Sequence, residues 1–184
     1  MLLSKNKAMK YIIIIIIIIV GFWWQFGLKD VVIAPVMVTN FEECIEAGNP
    51  VMESYPRRCR SGEETFVENI GNELEKFDLI RIETPRPNQT IESPLTIKGQ
   101  ARGFWFFEGD FPVVLVDWDG LIIAEGFATA EGDWMTEEFV SFNAVLEFET
   151  PEYKNNGTLI LRKDNASGLP EHDDALEVPV LFGK

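Results

Sequence analysis

The chain has 184 residues, of which 46% are hydrophobic and 12% aromatic, enough for one domain with a substantial core and some appendages. Its formal net charge is −14, yet three lysines, Lys5, Lys7 and Lys10, precede every acidic residue, so the remainder is more acidic still. Such a body repels phosphate groups, which argues against nucleic acid and anionic lipid as partners.

An uncharged run begins directly after Lys10. Residues 11–28 read YIIIIIIIIVGFWWQFGL and would span about 27 Å as a helix, close to the hydrocarbon thickness of a bilayer. The preceding lysines favour a cytoplasmic N-terminus, and Trp23 and Trp24 suit the opposite membrane interface. We therefore predict a cytoplasmic basic tail at 1–10, a transmembrane signal anchor at 11–28, and a single-pass protein of the cell membrane whose C-terminal body is extracytoplasmic.

Two alternatives to an uncleaved anchor share part of this pattern. A cleaved signal peptide has the same order of charged and apolar residues, but this run ends in the bulky GFWWQFGLKD, without the small residues of an A-x-A cleavage site. Most helices of soluble proteins keep a polar face toward water, and an unbroken isoleucine run has none, so a buried core helix of a soluble protein is the less favoured alternative. The sequence therefore favours the anchor.

Cys44 and Cys59 are the only cysteines. Outside the membrane a disulfide is their expected state, and it would close a loop of about 15 residues, worth about 3 kcal/mol in the chain-entropy model. A zinc site needs more ligands than two thiols, and the single histidine, His172, is far away in sequence. We predict a disulfide-stapled module at 41–68, followed by a polar linker at 69–77.

The pattern changes to a period of two from residue 78 onward, which is typical of strands. Predicted strands lie at 78–84, 93–101, 111–130 (a hairpin with a two-residue turn at Asp119-Gly120), 139–150, 155–165 and 175–182. Leu79 and Ile82 are the expected buried residues of the first strand. In 139–150 the expected buried face is Phe142, Ala144, Leu146 and Phe148. This succession of strands predicts an all-β fold, an antiparallel β-sandwich at 78–184.

Three segments together resemble the immunoglobulin-like domain of bacterial spore germination and sporulation proteins, the Gmad type. They read ETPRPNQTIESPLTIKGQARGFWFFEGDFPVVLVDWDG, EGDWMTEEFVSFNAVLEF and GTLILRKDNASGLPEHDDALEVPVLF, and the resemblance covers residues 79–182. It implies a small extracytoplasmic immunoglobulin-like sandwich in a bacterial envelope protein, with no catalytic residues to carry over. It also links the chain to sporulation or germination.

Four consecutive aromatic residues, FWFF at 104–107, stand between Arg102 and Glu108. In a strand, alternate rings would face opposite sides of the sheet. In one interpretation the segment crosses between sheets or bulges, so that all four rings meet apolar neighbours, and Arg102 pairs with an acid such as Glu108. In the other, Trp105 and Phe107 form an exposed platform for a sugar ring or peptide, which Arg102 and Glu108 orient. These four residues are the candidate binding residues.

Other groups of polar residues are explained by turns. DWDG (117–120) lacks the further ligands of a calcium loop, and EHDD (171–174) places its four polar residues side by side before a strand. Glu137, Glu138 and Glu171 could supply the carboxylate pair of a glycosidase, but their separation is not readable from sequence. We therefore predict no catalytic residue, no metal and no cofactor.

The sequence as a whole predicts a non-catalytic envelope protein. The N-terminal helix enters the membrane, the body binds an unidentified envelope protein or supports assembly, and nucleic acid is not a partner. One alternative is a glycan or peptidoglycan binder that uses the aromatic residues. Another is an envelope hydrolase.

Overall fold

The computed structural model describes residues 15–16 and 37–183. The chain divides into two units, 1–38 and 39–184, and the strands of the described residues belong to the second. The predicted basic tail, and the predicted span at 11–28 apart from its two described residues, lie outside this part. Among the described residues, no helix combines the length and the apolar character that crossing a bilayer requires.

A small disulfide-linked module opens the second unit. Its elements are helix α1 (Phe41–Glu46) and the antiparallel strands β1 (Val51–Met52), β2 (Arg58–Ser61) and β3 (Glu64–Val67). The side chain of Asn40 caps α1 by accepting a hydrogen bond from the backbone N–H of Glu43 (2.8 Å). Cys44 and Cys59 are bonded to each other and fully buried, so the predicted disulfide is confirmed.

Eight further strands form one hydrogen-bonded sheet. They are β4 (Ile80–Thr84), β5 (Thr90–Ile91), β6 (Leu95–Arg102), β7 (Asp110–Asp117), β8 (Ile122–Ala130), β9 (Phe139–Leu146), β10 (Asn156–Arg162) and β11 (Ala175–Phe182). Their order in the sheet is β4-β6-β9-β8-β7-β10-β11-β5. Neighbours are antiparallel except for β5 and β11, which run parallel.

This sheet curls into two facing layers. Strand β8 pairs with β7 along its length but reaches β9 only through Thr129 and Ala130. The strands β4, β6 and β9 therefore belong to one layer, and β7, β10 and β11 to the other. This arrangement reproduces the strand order of an immunoglobulin-like sandwich, and it confirms the predicted all-β sandwich.

The core lies between the two layers. Phe111 of β7 meets Phe142 of β9 edge to face, with ring centroids 5.0 Å apart, and Phe106 packs against Phe111 at 5.2 Å. Burial of about ten apolar side chains from each layer supplies most of the stabilisation, at roughly 1.5–3 kcal/mol for each large side chain. The buried face predicted for 139–150 is confirmed, with Phe148 only partly buried.

The first strand of the sandwich differs from the prediction by one residue. Ile80 and Ile82 are the buried positions of β4, whereas Leu79 precedes the strand and is half-buried. The prediction of Leu79 was wrong because a strand buries residues two apart, and 79 and 82 do not share a face.

The hairpin between β7 and β8 also differs from its prediction, because its loop has four residues, 118–121, rather than two. Asp117 donates its backbone N–H to the carbonyl of Leu121 (2.9 Å), and Gly120 takes the left-handed conformation with φ +80°. The carboxylate of Asp117 accepts the N–H groups of Asp119 and Leu121, both at 2.9 Å. This side chain therefore favours the longer loop.

Residues 69–77, predicted to be a linker, contain helix α2 (Glu73–Lys76) and pack on strand β11. Gly71 has φ +68°, and a Cβ at this position would lie 1.9 Å from the carbonyl oxygen of Glu177. The side chain of Asn72 donates to the carbonyl of Ala175 (3.0 Å) and accepts the N–H of Glu177 (2.8 Å). This segment is therefore fixed to the sandwich rather than a free spacer.

Glu68 ties the module to the sandwich from one side. Its side chain is 7% exposed and accepts two hydrogen bonds from the guanidinium of Arg57, at 2.9 and 2.6 Å. Asn88, in the sandwich, donates to the same carboxylate (3.3 Å) and to the carbonyl of Asn69 (2.8 Å). Asn88 has φ +62°, a conformation that asparagine tolerates better than most residues.

Glu73 forms the second polar contact between module and sandwich. Its side chain is also 7% exposed, pairs with Arg86 of the sandwich (2.7 Å) and accepts the hydroxyl of Tyr55 of the module. Arg86 in turn donates to the Tyr55 oxygen (2.8 Å). Burial, followed by the hydrogen bond to Glu73, raises the pKa of Tyr55. Together, Tyr55, Arg57, Glu68, Glu73, Arg86 and Asn88 constitute the junction cluster.

Protonation of Glu68 is expected to weaken the junction cluster. The hydrogen bonds from Arg57 hold the pKa of Glu68 below its ordinary value of 4.5, against the opposing effect of burial. Because the folded pKa is lower than the unfolded one, the stability that Glu68 contributes is present above pH 4.5 and is lost as the pH falls through the folded value. Urea denaturation of the wild type and of Glu68→Gln should show a stability difference near pH 6 that shrinks as the pH falls below 4.5. A stability difference that does not change with pH would show that the charge of Glu68 does not stabilise the junction cluster.

Candidate functional site

The four aromatic residues at 104–107 divide into two buried and two exposed rings. Trp105 is fully buried and Phe106 nearly so, whereas Phe104 and Phe107 are 50% and 46% exposed. The backbone explains this division, because Gly103–Trp105 forms a single 3₁₀ turn with three residues per turn instead of continuing strand β6. The rings therefore do not alternate between two faces. Trp105 cannot stack on a sugar ring or peptide, contrary to the exposed-platform hypothesis.

Arg102 has an acidic partner, but that partner is Glu138 rather than Glu108. The guanidinium of Arg102 lies over the ring of Phe139, 4.1 Å from its centroid, and its carboxylate partner is Glu138 at 3.9 Å. Glu108 is exposed and has φ +55° in a tight turn closed by mutual backbone hydrogen bonds between Phe107 and Asp110. Phe107 and Glu108, which are neighbours in sequence, are therefore both exposed, whereas Arg102 lies against Phe139 of β9.

Three loops meet at the end of the sandwich that carries these residues. They are residues 103–109 between β6 and β7, residues 131–138 between β8 and β9, and residues 163–174 between β10 and β11. The N–H of Gly103 donates to the carbonyl of Glu138 (3.2 Å), and the N–H of Asp164 donates to the carbonyl of Trp105 (3.0 Å). The first loop is therefore bonded to both of the others, and the group is named the three-loop surface.

Among the glycines of the three-loop surface, Gly103 leaves the least room for a side chain. A Cβ at Gly103 would lie 1.9 Å from the carbonyl oxygen of Thr136 and 2.3 Å from that of Trp134, both of them backbone atoms. We expect Gly103→Ala to push the first and second loops apart and to lower the free energy of unfolding by about 1–3 kcal/mol. Urea denaturation measures the loss, and the NMR shift of the Asp164 amide reports the loop geometry. An unchanged midpoint with an unchanged amide shift would show that the loops do not touch here.

The three-loop surface combines exposed apolar side chains with a strong negative charge. Its exposed apolar residues are Phe104, Phe107, Met135 and Leu169. Its acidic residues are Glu108, Glu131, Asp133, Glu137, Glu138, Asp164, Glu171, Asp173 and Asp174, against Lys163 as the only lysine or arginine. Sequence reasoning missed Met135 and Leu169, although a large apolar residue inside a loop rich in polar residues is a readable signal.

A second exposed aromatic group lies away from these loops. The rings of Trp118 and Tyr153 are 5.4 Å apart and inclined by 56°, and the ammonium of Lys154 lies 4.0 Å from the centroid of Trp118. Lys154 therefore occupies one face of Trp118, and the two rings do not form the flat platform on which sugars stack. Sequence reasoning did not single out this group.

The carboxylates beside helix α2 make structural contacts. A cleft of about 520 Å³ is lined there by Glu75, Lys76, Arg162 and Asp174, among others. Lys76 pairs with Asp174 (2.5 Å) across it. Among the residues that the structure describes, no three His, Cys, Asp or Glu side chains are grouped so that they could hold a metal ion.

Residues 79–168 match Gmad2, the immunoglobulin-like domain of bacterial spore germination. The comparisons with curated proteins and with solved structures gave no match. The Gmad2 domain, as matched, begins just before β4 and includes the whole of the first two loops and part of the third. The two-cysteine module and the apolar run at 11–28 lie outside the match.

Proposed function

We propose that this chain is a membrane-anchored, extracytoplasmic and non-catalytic protein of the bacterial cell envelope, and that it acts in spore germination or sporulation by binding another protein. The Gmad2 domain supports the link to germination. The buried disulfide supports an oxidising compartment outside the cytoplasm. The lysines and the apolar run at 11–28 support the anchor.

The observation that carries the proposal is the composition of the three-loop surface. Phe104 and Phe107 are each about half exposed to solvent, although the two residues between them, Trp105 and Phe106, are buried in the core. Exposed aromatic residues on a bonded framework are typical of protein-binding sites, because rigid rings bury much area on binding and lose little conformational entropy. Loops that are already bonded to one another need no further ordering when a partner arrives.

Site-specific photo-crosslinking in the native cells tests the binding surface. A photoreactive amino acid at Phe107 should yield an adduct with one envelope protein. The control is Val145, an apolar residue on strand β9 that lies outside the three loops and is 61% exposed, compared with 46% for Phe107. Adducts from neither Phe104 nor Phe107, or the same adducts from Val145, would contradict a binding site at these loops.

Cell fractionation tests the location of the chain. The full-length chain should sediment with membranes, and its body should be digested by protease added to cells without walls. A thiol-reactive maleimide should leave Cys44 and Cys59 unlabelled until a reductant is added. A soluble chain in the cytoplasm with both thiols reactive would refute the envelope assignment.

A further inference from the structure

We infer that the partner segment held by the three-loop surface is positively charged and carries an apolar anchor side chain. This inference rests on the proposed function, since it names the chemistry of the partner at the same surface. The alternatives at this surface are a neutral apolar segment and a glycan.

The apolar part of the inference follows from the two exposed rings. Phe104 and Phe107 come from one loop, with the buried Trp105 and Phe106 between them, so their backbone is anchored in the core. Met135 of the second loop and Leu169 of the third add exposed apolar area. An apolar side chain of the partner that packs against these residues would gain roughly 25 cal/mol of binding free energy for each Å² of apolar surface removed from water.

The charge part follows from the surrounding carboxylates. Two of the acids already have cationic partners, Glu138 with Arg102 (3.9 Å) and Asp174 with Lys76 (2.5 Å). The exposed Glu108, Asp133 and Glu137 have no ion pair among the described residues, and each of them lies in the first or second loop. Their field attracts cations and repels anionic segments, so a lysine or arginine next to the anchor complements the surface.

Lys163 does not cancel this field. Its ammonium lies 6.0 Å from the centroid of Phe104, at the side of the surface formed by the third loop. The ring of Phe104 is therefore already next to one cation. No lysine or arginine of the described residues lies over the exposed ring of Phe107, whose negatively polarised face suits a cation from a partner. Arginine in the partner would exploit this face better than lysine, because a guanidinium stacks on aromatic rings.

Three synthetic peptides of about ten residues separate the two requirements. The first alternates Arg with Leu between Gly-Ser ends, the second has Glu in place of Arg, and the third has Ser in place of Leu. Titration calorimetry with the full-length chain should detect binding of the first peptide only. Its affinity should fall at least tenfold between about 50 and 300 mM salt, because the attraction is screened.

Variants of exposed residues locate the binding to this surface. Phe107→Ser and the charge reversal Glu108→Lys should each weaken the first peptide at least tenfold, while Val145→Ser should leave the affinity unchanged. Circular dichroism confirms that each variant is folded, which is expected because all three side chains are exposed. Equal binding of the first and second peptides, no binding of any peptide, or binding of cell-wall fragments instead would overturn the inference. A photo-crosslinked native partner whose contacting segment is acidic or neutral would overturn it and leave the proposed function standing.

Discussion

Replacing Trp105 with alanine is expected to lower the free energy of unfolding of the sandwich by about 3–5 kcal/mol. The indole is fully buried, and its backbone carbonyl accepts the N–H of Asp164 from the third loop (3.0 Å). Alanine would leave a large cavity below the three-loop surface, and the contacts across it would be lost. Urea denaturation measures this loss of stability. The control is Phe104→Ala, at an exposed neighbouring residue, which should change the free energy of unfolding by less than about 0.5 kcal/mol.

The substitution Trp105→Phe is the conservative control. Trp105 Nε1 has no hydrogen-bond partner among the described residues, so phenylalanine removes a buried polar group together with part of the ring volume. We expect a loss well below that of alanine, under about 2 kcal/mol. If Trp105→Ala and Phe104→Ala were equally mild, the indole would not belong to the core, and the exposed-platform hypothesis would return.

Most strands of the sandwich could be predicted because their burial alternates locally. In β9, Phe142, Ala144 and Leu146 face the core at every second position, and β11 begins and ends at the predicted residues. The Cys44–Cys59 disulfide could be predicted equally well, because a disulfide is the usual state of two cysteines in a protein that is expected to be exported. These features depend on short-range pattern or on composition.

The arrangement of the aromatic run depends on residues that are distant in sequence. The turn at Gly103 fits under the carbonyl groups of Trp134 and Thr136, and no local pattern reveals which glycine meets another loop. If strand β6 continued through residues 104–107, alternate rings would face opposite sides of the sheet, but the turn at Gly103 ends the strand. Which acid pairs with Arg102 could not be identified for the same reason, since Glu138 becomes its neighbour only through the pairing of β6 with β9.

The attachment of the module could not be predicted because its contacts look like ordinary solvated charges in the sequence. Glu73 lies in the polar segment 69–77, and its partner Arg86 follows the first strand of the sandwich. A carboxylate of this kind is expected to face water unless it is paired. The hydrogen bonds and the ion pair of the junction cluster nevertheless join the module to the sandwich.

Replacing Arg86 with methionine is expected to loosen the module from the sandwich at a cost of about 3 kcal/mol. Removing one partner of a buried ion pair is expensive because the other charge stays behind, and the Glu73 side chain is only 7% exposed. Arg86 itself is 45% exposed, which places the cost at the lower end of the range for buried pairs. Hydrogen exchange measures the effect, because 3 kcal/mol corresponds to roughly hundredfold faster exchange of the protected amides in β2 and β3.

A double-mutant cycle separates this ion pair from the other contacts of Arg86. Glu73→Gln alone leaves an arginine that can turn to solvent, so it should cost less than Arg86→Met. The double variant should recover part of the loss, because it removes the stranded carboxylate, and the coupling energy should exceed about 1 kcal/mol. Arg58→Met, at an exposed arginine of β2, is the matched control and should leave exchange unchanged. Additive effects of Arg86→Met and Glu73→Gln would mean that the pair does not hold the module, and that the packing of residues 69–77 on β11 does so alone.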